Sequence, residues 1–341
     1  MPKLPNTVVG AGVIGLWQAL TLARAGHRVH LIDAAPDPLA SSASSYAGAM
    51  LAPDCEAEAA PPIVRDHGRE GLRLWLETYP DAVRQGSLVV AAARDRGELA
   101  RFGRMTQGYR RLDGDALSGL EPDLGGRFSE ALHFPDEAHL TTPRALAFLL
   151  EAVRTAGAEV TLGRRLDAGD LSRIAESGRL IDCRGLAARA DLSRLRGVRG
   201  ERIIIATRDI ALQRPVRLLH PRHPLYIVPW GDGRFMVGAT VIESEDGGAM
   251  TLRSGLELMG AAYALHPAFG EAELVDLGSG VRPAFPDNVP RARVERTRRI
   301  IRVNGAYRHG FLLAPVLAQA VRAFIDHGGP THPLIAETEA P

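Results

Sequence analysis

Gly10, Gly12 and Gly15 follow the apolar run Thr7-Val8-Val9, and Asp33 closes a second apolar run, Arg28-Val29-His30-Leu31-Ile32. The chemistry these residues can do is dinucleotide binding. Gly10 lets the chain turn sharply out of the first strand, and Gly12 leaves the amides of a helix start open to a pyrophosphate. Gly15 lets that helix pack closely on the sheet, with Val13 and Ile14 opening it. Asp33, roughly twenty residues on, can accept hydrogen bonds from ribose hydroxyls. That argues against a 2′-phosphate, and so against NADP, but leaves NAD and FAD both open. The elements that must position these groups are a strand, a helix through Ala19 and Leu22 that ends at Gly26, and a second strand.

The bulk composition narrows the classes. The chain has 341 residues, 45% of them apolar and 24% charged, as in ordinary globular proteins. A net charge of +1 gives no reason to expect nucleic acid or an anionic membrane as partner. Only two cysteines occur, Cys55 and Cys183, too far apart for a metal or disulfide pattern, so a reducing, cytoplasmic setting is expected. No apolar run approaches the ~18 residues that span a bilayer. With so short a start before the first strand, no signal peptide is expected. Lys3 is the single lysine among 41 basic residues, which excludes a Walker phosphate loop, a pyridoxal Schiff base and a lysine general base. No His-Glu-x-x-His, Cys-x-x-Cys or Gly-x-Ser-x-Gly occurs, and no metal is expected. His133, His139, His220 and His223 read as scattered surface or structural residues.

Along the chain, residues 36–62 read as loop, but Tyr46–Pro53 is small and apolar, as suits backbone lying against a flat ring. Helical spacing covers 63–79 and returns at Pro143–Ala156, near 251–265 and at Pro315–Asp326. Ser87–Val90 opens a more antiparallel region. Arg179–Gly185 reads as a late strand returning to the nucleotide sheet, with its carboxyl end toward the ligand. Gly231-Asp232-Gly233 lies between Tyr226–Trp230 and Arg234–Thr240 as a hairpin signal. The expected class is α/β, with discontinuous domains.

Six stretches in order, Gly10–Gly15, Gly48–Pro53, Tyr226–Pro229, Val237–Thr240, Gly280–Pro283 and Asn304–Pro315, resemble the D-amino-acid oxidase (DAO) family of FAD-dependent amine oxidoreductases, in its glycine oxidase branch. The likeness covers nearly the whole chain and is most specific at its C-terminal end. It implies a Rossmann-type, GR2-like FAD domain from residues 1–80, 140–200 and 282–330. An inserted antiparallel-sheet α+β substrate domain would take 81–139 and 201–281, and 331–341 would be a tail.

The resemblance implies non-covalent FAD, since neither cysteine stands where relatives attach flavin. Ser41, Ser42, Ala47, Gly48 and Met50 would run past pyrophosphate and flavin, while Leu166, Cys183 and Gly185 would lie near the adenosine end. Gly310, Phe311, Leu312 and Leu313 would offer amides at the start of the last helix, beside the flavin edge that gains negative charge. Arg282, in a rigid turn between Gly280 and Pro283, matches the carboxylate clamp, a task suited to a bidentate guanidinium. Tyr226 matches a phenol on the same carboxylate, Arg308 a second arginine near flavin and substrate, and Val241 a pocket position. Pro224 stands where a relative has histidine. The implied reaction passes a hydride from the α-carbon of a small amino acid to flavin N5, with O₂ as acceptor and the imine hydrolysed or passed to thiazole synthesis. A homo-oligomer and a functional link to thiazole synthase are compatible with the sequence. A same-fold oxidase or dehydrogenase for sarcosine, D-alanine or another N-substituted glycine stays open, the dehydrogenase handing its electrons to a quinone, as does a flavin-binding module without turnover.

Overall fold

The computed structural model describes residues 4–221, 224–329 and 332–337. Two large sheets organise them. The first has seven strands in the spatial order Ile335–Glu337, Arg291–Glu295, Ile300–Asn304, Arg179–Asp182, Asn6–Val9, Val29–Ile32, Glu159–Thr161. The interior strand Asn6–Val9 runs parallel to both neighbours, with Val9 level with Ile32 on one side and Asp182 on the other. Gly10, Asp33 and Cys183 therefore leave the sheet at one level, at the carboxyl ends of three adjacent strands. That is where an open parallel sheet binds its ligand.

Helices Val13–Arg24, Pro62–Thr78, Thr142–Thr155 and Gly310–His327 share one apolar core with this sheet. Leu16, Leu20, Leu146, Leu149, Leu313 and Leu317 are almost wholly buried there. The sequence pattern places the start of the last helix at Pro315, but the helix begins at Gly310. Proline has no N–H for the carbonyl four residues back, so Phe311 loses its helical partner. The Trp75 indole N–H donates to that carbonyl instead, at 2.6 Å.

The second sheet has eight strands, in the order Glu273–Ala284, Arg196–Ala206, Arg234–Gly238, Leu225–Gly231, Val216–Leu219, Ser87–Ala91, Glu130–Phe134, Arg110–Asp113. It is not wholly antiparallel, because Val216–Leu219 lies parallel to Ser87–Ala91. The expected hairpin is present, its turn carried by Gly231, Asp232 and Gly233, all at positive φ. Helix Leu252–Leu265 packs Leu258, Ala262 and Leu265 against Ile203, Ile205 and Phe235 of this sheet.

Two expectations differ in register. The division expected near residue 200 falls inside strand Arg196–Ala206, and the one at 282 inside strand Glu273–Ala284. These two strands pair antiparallel along eleven positions. Gly280–Pro283 is thus extended sheet rather than a turn. A proline there is tolerated because the strand lies at the sheet edge. Residues 36–62, read as loop, carry short helical turns at Pro38–Ser41, Ala43–Tyr46 and Pro53–Glu56.

Candidate active site

A single long cleft of about 1170 Å³ joins the carboxyl edge of the seven-stranded sheet to the face of the eight-stranded one. At its narrow-turn end, Gly10 has φ +105°, and a Cβ there would come 2.5 Å from the Cys183 carbonyl oxygen. A Cβ at Gly15 would overlap the Gly10 carbonyl, so the helix can approach this turn only with glycine at both places. Gly12 caps helix Val13–Arg24 without a side-chain hydrogen bond. The first helical amide, Val13 N–H, donates to Ser44 Oγ at 3.0 Å. Asp33 is fixed to the same turn: Oδ2 accepts from Ala11 N–H at 2.6 Å and Oδ1 from Ala35 N–H at 2.7 Å. Val13, Ile14, Ser41, Ser42, Ala47, Gly48, Met50, Leu166, Cys183 and Gly185 line the cleft around it.

At the opposite wall the last helix points its N-terminus into the cleft through Gly310, Phe311 and Leu312. The first amides of a helix have no partner inside it and attract negative charge. Leu313 was expected to contribute a fourth amide, but its N–H donates to His309 O at 2.9 Å and its side chain is fully buried. Gly15 likewise lies behind the cleft rather than on it. An extended cavity with a helix N-terminus at each end fits a flavin dinucleotide, for which Gly12, Val13, Asp33 and Gly310–Leu312 would be the holding residues.

The eight-stranded sheet supplies the remaining wall. Arg282 lies on the strand next to Gly200, where a Cβ would overlap its guanidinium, and Gly48 similarly leaves room for the Tyr226 ring. One nitrogen of Arg282, Nη1, donates to Thr240 O at 3.1 Å and Arg199 O at 3.4 Å. Those carbonyls are themselves held by a buried set in which Arg199 pairs with Glu201 at 2.7 Å and Thr240 Oγ1 accepts from Glu201 N–H at 2.9 Å. Nε and Nη2 of Arg282 have no acceptor among the described residues. Burial lowers the Arg282 pKa, opposed by Tyr226. Tyr226, Met50 and Val241 line the same region, Val241 with half its surface exposed.

Arg308 lines the cleft too, and here sequence reasoning missed its company. Arg308 Nη2 donates to Glu56 Oε1 at 3.3 Å, Arg217 Nη2 donates to the same oxygen at 3.0 Å, and His309 Nδ1 stands 3.5 Å from Oε2. Burial would raise the Glu56 carboxyl, but Arg308, Arg217 and His309 together hold it down at about 2. Burial lowers His309 to about 4, so it is neutral near pH 7. One signal was available, since Arg217 is a lone charge in the otherwise apolar strand Val216–Leu219. Ser44 and Tyr46, within the loop expected to run past the cofactor, line the cleft, and Tyr307 does so unforeseen. His220 does so as well, against the expectation of a surface or structural role, whereas His139 is buried and His133 half-buried. Pro224 lines the cleft, and His223 falls outside the described residues.

A dinucleotide-type turn and a second helix N-terminus facing one cleft mark a cofactor-dependent oxidoreductase. The chain belongs to the DAO family of FAD-dependent oxidoreductases, whose family model matches residues 7–323. It is 51% identical over 326 residues to a Rhizobium etli protein named thiamine biosynthesis oxidoreductase ThiO, covering 95% of this chain and 97% of that one. It is 27% identical to the glycine oxidase of Geobacillus kaustophilus, over 94% and 92% of the two chains. The fold matches the crystal structure of Bacillus cereus glycine oxidase with a TM-score of 0.80 at 21% identity, covering 97% of each chain.

Proposed function

We propose that this protein oxidises glycine: glycine, O₂ and water give glyoxylate, ammonia and hydrogen peroxide, with the imine able to pass to the thiazole branch of thiamine biosynthesis. The observation that carries this reading is the open Nε/Nη2 edge of Arg282 beside Tyr226 in the FAD cleft. The names of the Rhizobium etli and Geobacillus kaustophilus relatives support it. FAD, which Gly12, Val13, Asp33 and the Gly310–Leu312 amides would hold without a covalent bond, would supply the two-electron acceptor for the substrate α-carbon.

The chain's own residues act by position and charge. Arg282 takes the substrate carboxylate through a charge-assisted pair, and the Tyr226 hydroxyl donates to it. Two anchors at one end of a small amino acid fix the direction of its α-carbon. No side chain is required as base, because the amine reacts in its neutral form. The amides of Gly310, Phe311 and Leu312 stabilise negative charge at the ring edge. Buried, unbridged Cys55 and Cys183 suit a reducing compartment such as the cytoplasm. No helix among the described residues is long and apolar enough to cross a membrane.

The test is a panel of glycine, sarcosine and D-alanine supplied to the purified yellow holoenzyme, with peroxide and ammonia measured. Glycine is expected to give the highest kcat/KM. A protein that stays colourless with added FAD contradicts the proposal.

A further inference from the structure

Among the arginines that line the cleft are Arg217, Arg282 and Arg308, and the fold treats these three differently. Arg217 and Arg308 both donate to one oxygen of Glu56, while Arg282 has no carboxylate within ion-pair distance among the described residues. The Glu56, Arg217 and Arg308 side chains are 15%, 11% and 27% exposed. They come from three remote segments: the short helix Pro53–Glu56, the strand Val216–Leu219 and the turn before the last helix. His309, 3% exposed, closes the other side of the carboxylate.

Resting on the reading of this cleft as an amino-acid oxidase site, we propose that Glu56 is an internal stand-in for a second substrate acid group. By occupying Arg217 and Arg308 it restricts the chamber to amines carrying a single carboxylate. Glu56 takes one Nη2 donor from each of Arg217 and Arg308 and cancels one of their two charges, so a second acid group meets a weaker cationic wall and a fixed anion within it. Glu56 stays ionised throughout the working pH range, so the restriction does not lift on mild acidification. Arg308 gives Glu56 a single bond from Nη2, and what sets Arg282 apart is that it faces no carboxylate among the described residues, so one acid group per substrate is what Arg282 can hold. Discrimination of this kind rests on the repulsive element as much as on the attractive one.

The test compares the wild-type holoenzyme with Glu56→Gln, an isosteric change that removes the charge. Acetate and malonate serve as binding probes, read from their perturbation of the flavin spectrum, and glycine and iminodiacetate as substrate probes. Wild type is expected to favour acetate over malonate, and glycine over iminodiacetate, by about tenfold or more. Glu56→Gln is expected to shift both ratios toward the diacid by at least about tenfold. Ratios unchanged by the substitution overturn the proposal. If Glu56→Gln does not fold or hold FAD, the wild-type acetate-to-malonate ratio decides alone, and equal affinity for the two overturns it. A wild-type protein that oxidises no amine in the panel defeats the functional reading instead. The acetate-to-malonate ratio still tests Glu56 in that event.

Discussion

The Arg282 guanidinium lies against the bare α-carbon of Gly200 on the adjacent strand, in space that a single methyl group would claim. Arg282 pairs directly with Val198 and Gly200 with Gly280, so the arginine leans diagonally across the sheet on the face that carries the cleft. Gly200→Ala is therefore expected to displace the guanidinium while leaving the FAD turn untouched. The expected outcome is a kcat/KM for glycine lowered by about 10- to 100-fold with the flavin spectrum unchanged. Steady-state kinetics on the FAD-saturated variant measure it.

Arg282 and Tyr226 act on the same carboxylate with different strength. A charge-assisted bond contributes roughly 1.5–3 kcal/mol and a neutral one about 1 kcal/mol. Arg282→Gln is expected to lower kcat/KM by about 100-fold, and Tyr226→Phe by a few-fold to about tenfold. Equal losses in the two variants contradict the assignment. Binding of acetate, followed through the flavin spectrum, separates the loss of affinity from any change in the chemical step.

Ser44 holds the first amide of helix Val13–Arg24 at 3.0 Å, the same amide that the pyrophosphate would claim. In the apo-protein Ser44→Ala removes a helix cap, a loss of about 1 kcal/mol. With FAD bound the phosphate replaces the hydroxyl, and the difference should shrink. Thermal unfolding of both variants, with and without FAD, reads the effect. A deficit of the same size in apo and holo forms contradicts it.

Glu137 is buried where Oε1 accepts from Cys55 N–H at 2.8 Å and Oε2 from the Ser87 hydroxyl. Burial, ahead of its hydrogen bonds, raises this carboxyl from 4.5 to about 7. The folded state thus holds the proton more tightly than the unfolded chain. The stability from this group is complete below the unfolded value and lost as pH rises through the folded one. Glu137→Gln mimics the protonated form. Relative to that variant, wild type is expected to lose roughly 2–3 kcal/mol between acid and mildly alkaline pH. Denaturant unfolding across that range measures it, and parallel stability curves contradict it.

The cofactor end was legible because its chemistry is local: Gly10, Gly12, Gly15 and Asp33 lie within one strand–helix–strand unit, and the fold keeps their spacing. The substrate end was legible only through family likeness, since Arg282, Tyr226 and Arg308 come from three remote segments. Glu56 and Arg217 were not seen, because their partnership exists only after three segments meet. Pro315 misled for a physical reason, as its missing hydrogen bond is made good by Trp75, 240 positions away in the chain. Arg282 was set in a turn because Gly and Pro flank it. An edge strand with a bare neighbour at Gly200 uses the same residues differently.

The central claim is that this cleft passes electrons from a small amino acid to FAD. Anaerobic titration of the purified holoenzyme with glycine tests it most directly, with sarcosine and D-alanine alongside. The account predicts full bleaching of the flavin absorption by glycine and its return on admitting air. A flavin that is bound yet stays oxidised with all three amines would contradict it.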